Sequence, residues 1–117
     1  MPRDYKLYLS DILDAIERIE NYTYNINTYN KFLEQQIVQD VVIKNLMIIG
    51  EAVKKIPNEI KSKYPNSDWK KIAGFRDVLI HSYFKINLLI IWDVIENKLP
   101  LLKEDIIQIL KELDNDI

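Results

Sequence analysis

One short segment of this sequence carries the side chains best suited to acid–base chemistry. It contains the only histidine of the chain, His81, with Arg76 and Asp77 five and four positions before it and Tyr83 two positions after it. Histidine both takes and gives a proton near neutral pH, because its unperturbed pKa lies there. Arginine stays cationic and presents a planar set of donors that fits phosphate oxygens. A proton shuttle beside a phosphate-binding cation points to phosphodiester chemistry, although the spacing alone is a weak signal.

Helical geometry separates the two central residues of this segment. At about 100° per residue, Asp77 and His81 lie one turn apart on one face, while Arg76 and Tyr83 lie two turns apart on another. On the same scale Arg76 and His81 differ by about 140°. Either Arg76 lies in an irregular first turn and folds round, or the site combines Arg76 and His81 from two subunits of a homodimer. Asp77 could support catalysis by holding one ring nitrogen of His81 and leaving the other for a substrate.

Each of these residues also has a purely structural interpretation. A lone histidine on a mostly apolar helix is usually structural, and an arginine beside an acid near a helix start is usually a surface pair of little energetic consequence. Glu51 also has two interpretations, since it is either a buried acid paired with Arg76 or a lysine, or a surface glutamate. Types and spacing therefore leave both interpretations standing.

Composition bounds the fold class. With 117 residues, 48% of them hydrophobic, the chain is long enough to build one core, so we expect residues 1–117 to form a single domain. Two glycines and four prolines, among abundant Leu, Ile, Lys and Glu, indicate an all-α protein. The amphipathic pattern predicts a compact bundle of four to five helices, over residues 4–22, 29–56, 69–73, 75–98 and 101–113, with a short helical turn over residues 57–64.

Three residue signals place breaks and contacts within that bundle. Thr28 is a candidate cap for the second helix, and Gly74 is expected to end the short helix that begins at Trp69. Gly50 lies inside the second helix, where glycine costs about 1 kcal/mol relative to alanine. We expect close approach of another helix to offset that cost.

Several classes of protein are disfavoured. The absence of cysteine excludes disulfides and thiolate metal sites, and it fits a reducing cytoplasm. With one histidine, a protein-only zinc site would need three carboxylates, so we expect no metal and no cofactor. The first residues lack the apolar core of a signal peptide, and no uncharged apolar run approaches the roughly 18 residues of a membrane span.

Charge is unevenly distributed along the chain. The net charge of −2 argues against a protein that coats nucleic acid non-specifically. Residues 54–76, however, hold seven basic side chains against Glu59 and Asp68, a local charge of +5. Such a patch either gathers a polyanion or is simply a solvated lysine face. The candidate polyanion-binding residues are Lys54, Lys55, Lys61, Lys63, Lys70 and Lys71.

Three motifs together resemble a known family. Residues 45–52 (NLMIIGEA), residues 69–84 (WKKIAGFRDVLIHSYF) and the later pair Ile91–Trp92 closely resemble the HepT-like branch of the HEPN superfamily, in family order and spacing. The family pattern is Arg, a polar residue that is often Asn, three more residues, His, any residue, Tyr. Arg76, His81 and Tyr83 match it, and Asp77 occupies the polar position. The likeness covers nearly the whole chain.

The resemblance carries specific functional expectations. It implies an up-and-down bundle of four to five helices that forms a homodimer in which two Arg/His motifs face one cleft. It also implies a metal-independent endoribonuclease, with Arg76 and His81 catalytic and the lysines above as RNA-binding candidates. The enzyme would act as the toxin of a type VII-like toxin–antitoxin pair. Its antitoxin would be a minimal nucleotidyltransferase that adds AMP to Tyr83.

Two alternatives from other functional classes remain open. One is a non-catalytic helical partner subunit that binds a nucleotidyltransferase and presents Tyr83 for modification. The other is a helical dimerisation module in which Arg76 and His81 only stabilise the interface. Loss of RNA cleavage on changing His81, with folding intact, separates the enzyme from both.

Overall fold

Every regular element in the described part of the chain is helical. The structure is a computed structural model, and it describes residues 4–82 and 85–115. Its helices are α1 (Tyr5–Thr23), α2 (Tyr29–Leu33), α3 (Gln36–Val53), α4 (Asn58–Lys61), α5 (Trp69–His81), α6 (Leu88–Asp93) and α7 (Leu99–Asn115), and a π-helical segment (Val94–Lys98) joins α6 to α7. The predicted all-α class is therefore confirmed. Four of these helices are long, and three short ones connect them.

The first helix shows how the sequence pattern becomes packing. Asp4 caps α1 by accepting a hydrogen bond from the Lys6 backbone amide at 3.1 Å. The apolar residues recur every three or four positions, so they share one face and are buried against α3 and α7. Burial of this stripe stabilises the packing of α1 on α3 and α7. Its buried residues are Leu9, Ile12, Ala15, Ile16 and Ile19.

Two ion pairs define how α7 lies on α1. Lys6 at the start of α1 pairs with Asp114 near the end of α7 at 2.6 Å. Lys103 near the start of α7 pairs with Glu20 near the end of α1 at 2.8 Å. The two helices are therefore antiparallel, as in an up-and-down bundle. Both pairs are largely exposed and add little to stability.

The predicted helix over residues 29–56 is wrong, because it divides into α2 and α3 at Glu34 and Gln35. Thr28 does cap α2, accepting from the Lys31 amide at 3.2 Å. The break is stabilised by Gln39, whose side-chain amide donates to the carbonyl of Phe32 at 2.8 Å and to that of Leu33 at 3.1 Å. These carbonyls end α2 and have no partner of their own within it.

The predicted helix end at Gly74 is also wrong. Helix α5 runs without interruption from Trp69 to His81, and Gly74 is an exposed residue within it. Arg76 lies seven residues after the helix begins, in regular α-helix. An irregular first turn therefore does not bring Arg76 round to His81, and the divergence of about 140° stands.

The predicted continuous helix over residues 75–98 is wrong as well. Helix α5 ends at His81, and α6 begins after Asn87, whose side chain accepts from the Leu89 amide at 2.9 Å. Tyr83 falls between them and lies outside the described residues. The expectation that Tyr83 shares a helical face with Arg76 assumed an unbroken helix, so it loses its basis.

Pro100, expected to lie beyond a helix end, is the second residue of α7. In a regular α-helix its ring would clash with the carbonyl four residues earlier, that of Glu96. The wider π-helical turn over Val94–Lys98 lies directly before it and relieves this clash. The chain thus passes from α6 into α7 without a loop. No helix in the described part of the chain is both long and apolar enough to cross a membrane.

The close approach predicted at Gly50 is confirmed. A β-carbon built there would overlap the β-carbon of Arg76 and lie 3.2 Å from the carbonyl oxygen of Ile72. Both atoms belong to or adjoin the backbone of α5 and cannot rotate away. Glycine at this position therefore lets α3 and α5 pack in direct contact, and it brings Arg76 against α3.

The two glycines of the chain should respond oppositely to alanine. Gly50→Ala should lower the free energy of unfolding by about 1–2 kcal/mol, because overpacking exceeds the gain in helix propensity. Gly74→Ala should raise it by up to about 1 kcal/mol, since no heavy atom lies within 4 Å of the added carbon. Thermal unfolding followed by circular dichroism measures both. Equal shifts for the two variants would contradict the α3–α5 contact.

Candidate active site

Arg76 is held in place by two carboxylates. Its Nε lies 3.1 Å from Oε2 of Glu51 on α3, and its Nη1 lies 3.0 Å from Oδ1 of Asp77. Its side chain keeps 29% of its exposure. Glu51 is thus the paired acid of the two options above, although it is half exposed rather than buried. The two pairs fix the direction of the guanidinium group while part of it still faces solvent.

Asp77 binds Arg76 and Lys54 rather than His81. Its Oδ1 accepts hydrogen bonds from Lys54 Nζ and from Arg76 Nη1, both at 3.0 Å. These two cations, Lys54 foremost, hold the pKa of the Asp77 carboxyl below its ordinary value. Within the described residues Asp77 makes no hydrogen bond to His81. The supporting role predicted for Asp77 therefore shifts from the histidine to the arginine and Lys54.

His81 is exposed and is not part of the Arg76 cluster. It is the last residue of α5, which ends at the capping residue Ser82. Arg76 borders an open groove of about 330 Å³ between α1, α3 and α5, together with Glu51 and Ile80. His81 is not among the residues that line this groove. One chain therefore does not bring the two residues into a common cleft.

Exposed apolar side chains flank both residues. Val78, 53% exposed, lies three positions before His81, and Ile80, 41% exposed, lies one turn after Arg76. Leu89 and Ile90 at the start of α6 are also half exposed. Contiguous patches of such side chains mark protein–protein contacts, whereas scattered ones are ordinary on a protein surface.

The candidate lysines divide into two groups. Lys54, Lys61 and Lys70 line a second open groove, of about 970 Å³, that also includes Lys98. The other three candidates, Lys55, Lys63 and Lys71, do not line it. Sequence reasoning missed Lys98, because it lies far along the chain from the basic segment and reaches the groove only through the fold.

No cluster of three or more His, Asp or Glu side chains in the described ranges is placed to hold a metal ion. On α5 itself the structure shows Arg76, with the side chains that position it, and the exposed His81. An exposed imidazole can move protons, and a fixed guanidinium can stabilise charge on a phosphoryl group.

The described part of the chain is a small bundle of α-helices that carries an arginine and a histidine on one helix, α5. Residues 12–109 match the family described as Ribonuclease HepT-like. The chain belongs to this family.

Named relatives are similar over most of this chain. A Methanocaldococcus jannaschii protein named a gamma-glutamylcyclotransferase, with RNase activity assigned provisionally, is 44% identical over 97% of this chain, which spans 51% of that protein. A second protein of that organism, named provisionally as an RNase, is 39% identical over 96% of this chain and 92% of its own length. A Thermococcus cleftensis protein named "Probable ribonuclease HepT" is 43% identical over 88% of this chain and 93% of its own length. No solved structure matches the chain.

Proposed function

We propose that this protein is a metal-independent endoribonuclease whose active site combines Arg76 of one subunit with His81 of the other in a homodimer. The observation that carries the proposal is the carboxylate-fixed Arg76 on the same helix as an exposed His81, in a chain that belongs to a ribonuclease family. The enzyme would act on RNA in the cytoplasm.

The chemistry needs only proton transfer and charge stabilisation. His81 takes the proton from a ribose 2′-hydroxyl, and the oxygen attacks the adjacent phosphorus. The bond from phosphorus to the 5′ oxygen breaks, and that oxygen receives a proton from an imidazolium. The products are a 2′,3′-cyclic phosphate and a 5′-hydroxyl. Arg76 stabilises the charge that develops on the non-bridging oxygens.

A homodimer is supported by the geometry of α5. Arg76 and His81 diverge on one helix, and each has an exposed apolar neighbour, Ile80 beside Arg76 and Val78 beside His81. These two neighbours lie on faces about 160° apart, so a contact between two subunits would have to include both sides of α5 to bury them. Such a contact would also bring the Arg76 of each subunit towards the His81 of the other.

The function is tested by incubating the purified protein with single-stranded RNA in EDTA. RNA should be cut and DNA of the same base sequence left intact, because DNA lacks the 2′-hydroxyl nucleophile. Cutting of both nucleic acids, or loss of cutting in EDTA, would contradict the proposed chemistry.

A finer proposal concerns regulation. The enzyme would be the toxin of a type VII-like toxin–antitoxin pair, and a minimal nucleotidyltransferase would neutralise it by transferring AMP to Tyr83. The support is the position of Tyr83 two residues after His81, as in the pattern of the family. Because Tyr83 lies two residues after His81, an AMP phosphate on it would lie near the Arg76 of the other subunit in the proposed dimer, where it would compete with the RNA phosphate.

Tyr83→Phe removes the acceptor oxygen and little else. We expect this variant to stay folded, to retain at least part of the ribonuclease activity, and to resist inactivation by the nucleotidyltransferase and ATP. Mass spectrometry of the wild-type protein should show one AMP adduct on Tyr83. An adduct on another residue, or neutralisation without any adduct, would contradict the proposal. AMP transfer without any cleavage by the unmodified protein would instead support a non-catalytic partner subunit.

A further inference from the structure

The groove that contains Lys98 concentrates positive charge from four separate elements. Lys54 follows α3, Lys61 ends α4, Lys70 lies in the first turn of α5, and Lys98 ends the π-helical segment. All four line one open groove of about 970 Å³. Because these residues are distant in sequence, the fold and not a local run of lysines assembles this charge. We call this surface the lysine groove.

Lys54 is paired with Asp77, but the charges of Lys61, Lys70 and Lys98 are poorly balanced by acids. Among its lining residues Asp68 is the only carboxylate. Asp68 already caps α5 through the Lys71 amide at 3.3 Å and pairs with the Lys71 ammonium at 3.5 Å. Burial lowers the pKa of Lys61, as expected for a cation that loses water without gaining an acidic partner. A chain of net charge −2 thus maintains a local excess of cations, which attracts a polyanion.

The walls of the lysine groove are fixed by internal hydrogen bonds. Trp69 Nε1 donates to the carbonyl of Tyr64 at 2.9 Å, and Ser67 Oγ donates to Asp105 Oδ2 on α7 at 2.6 Å. Burial and a hydrogen bond to the Glu112 carboxylate raise the pKa of Tyr64 to about 12, so its hydroxyl stays protonated and bonded. A groove held in this way needs little reorganisation to receive a ligand.

The lysine groove is continuous with the Arg76 cluster through one oxygen atom. Lys54 lines the groove, and its ammonium group and Nη1 of Arg76 both donate to Oδ1 of Asp77. A chain of phosphates spaced along a nucleic acid could therefore pass from Arg76 to Lys54 and on to the other lysines.

We propose that the lysine groove binds the phosphodiester backbone of single-stranded RNA on its way to the Arg76/His81 site. This proposal rests on the proposed function and adds the path of the substrate to it. The aromatic residue of the groove, Trp69, is only 7% exposed and its indole nitrogen is already bonded, so it offers no face for base stacking. The contacts are to phosphates, and binding here is independent of base sequence.

The test compares two double variants that each remove two positive charges. Lys61→Gln with Lys98→Gln alters the lysine groove and leaves the Arg76 cluster untouched. Lys55→Gln with Lys63→Gln, from the same basic segment but outside the groove, is the matched control. The probe is a fluorescein-labelled single-stranded RNA with 2′-O-methyl riboses, which has no free 2′-hydroxyl and is not cleaved. Anisotropy measures its affinity at several KCl concentrations.

The groove variant should bind the probe more weakly and with a smaller salt dependence. Each phosphate that is no longer neutralised reduces the slope of log K against log[salt] by about 0.7 on a single strand, so the expected reduction is about 1.4. The control variant should keep the wild-type slope. With cleavable RNA, the groove variant should show a raised KM and an unchanged kcat.

The inference is overturned if the groove variant keeps the wild-type slope, if the control loses as much, or if the wild-type protein does not bind the probe. Because the binding assay requires no cleavage, it also separates this inference from the proposed function. If the wild-type protein binds the probe but cuts no RNA, and the groove variant binds the probe more weakly, the polyanion site is supported. Only the proposed ribonuclease activity is then contradicted.

Discussion

Replacing either Arg76 or His81 by alanine is expected to reduce RNA cleavage by roughly 100-fold or more. Without His81 the chain has no histidine to transfer protons to and from the RNA. Without Arg76 the charge on the phosphoryl oxygens loses its fixed cation. Initial rates of RNA cleavage in EDTA, measured under identical conditions for the wild-type protein and each variant, provide the comparison.

The folded state should survive both substitutions. His81 is exposed, and the carboxylates that hold Arg76 are each about half exposed, so losing these pairs should cost no more than about 1 kcal/mol. Arg18→Ala, which removes an arginine from α1, is the matched control and should cut normally. Normal cutting by both Arg76→Ala and His81→Ala would contradict the assigned roles. Cutting that stops in EDTA would contradict the metal-independent mechanism.

Mixing the two inactive variants is expected to restore activity. If each site takes Arg76 from one subunit and His81 from the other, a dimer of one Arg76→Ala subunit and one His81→Ala subunit contains one intact site. Random exchange of subunits should then recover about a quarter of the wild-type activity. Co-expression of the two variants with different affinity tags isolates the mixed dimers for the same cleavage assay.

A double variant that lacks both side chains is the control for this exchange. Paired with either single variant it has no intact site, so no activity should return. A site formed within one subunit would give no recovery in any mixture, and a monomer by light scattering would also contradict the shared site. The prediction follows from the regular helix around Arg76, which leaves the divergence from His81 unrelieved.

The amphipathic helices were predictable because their patterns are local. The first helix, predicted over residues 4–22, is α1 almost residue for residue, since its apolar spacing and its capping aspartate act within the same few turns. The close contact at Gly50 was predictable for a similar reason, because glycine within a helix needs a compensating partner. Both features follow from residues near one another in the chain.

The breaks were not predictable, because contacts from outside the local sequence determine them. No helix-breaking residue separates α2 from α3, and Gln39 stabilises that break from the following helix. Gly74 resembles a helix stop, yet α5 continues through it. The break between α5 and α6 did have one signal in the sequence. Asn87 is a good capping residue, and it predicts that a new helix begins after it.

Candidate site residues were identified by type, whereas their partners depend on packing. Arg76 and His81 were singled out from chemistry and spacing. The pairing of Asp77 with Lys54 and Arg76, and that of Glu51 with Arg76, arise because α3 lies directly on α5. Lys98 joins the other lysines only because the π-helical segment ends beside them. Such contacts join residues that are far apart in the chain.

The most direct test of the Arg76/His81 site is to identify the ends of the RNA that it produces. RNA cut by the wild-type protein in EDTA should carry 5′-hydroxyl ends and 2′,3′-cyclic phosphates, and the His81→Ala protein should produce neither at a comparable rate. Products with 5′-phosphate and 3′-hydroxyl ends, or the same products at the same rate from His81→Ala, would contradict the account.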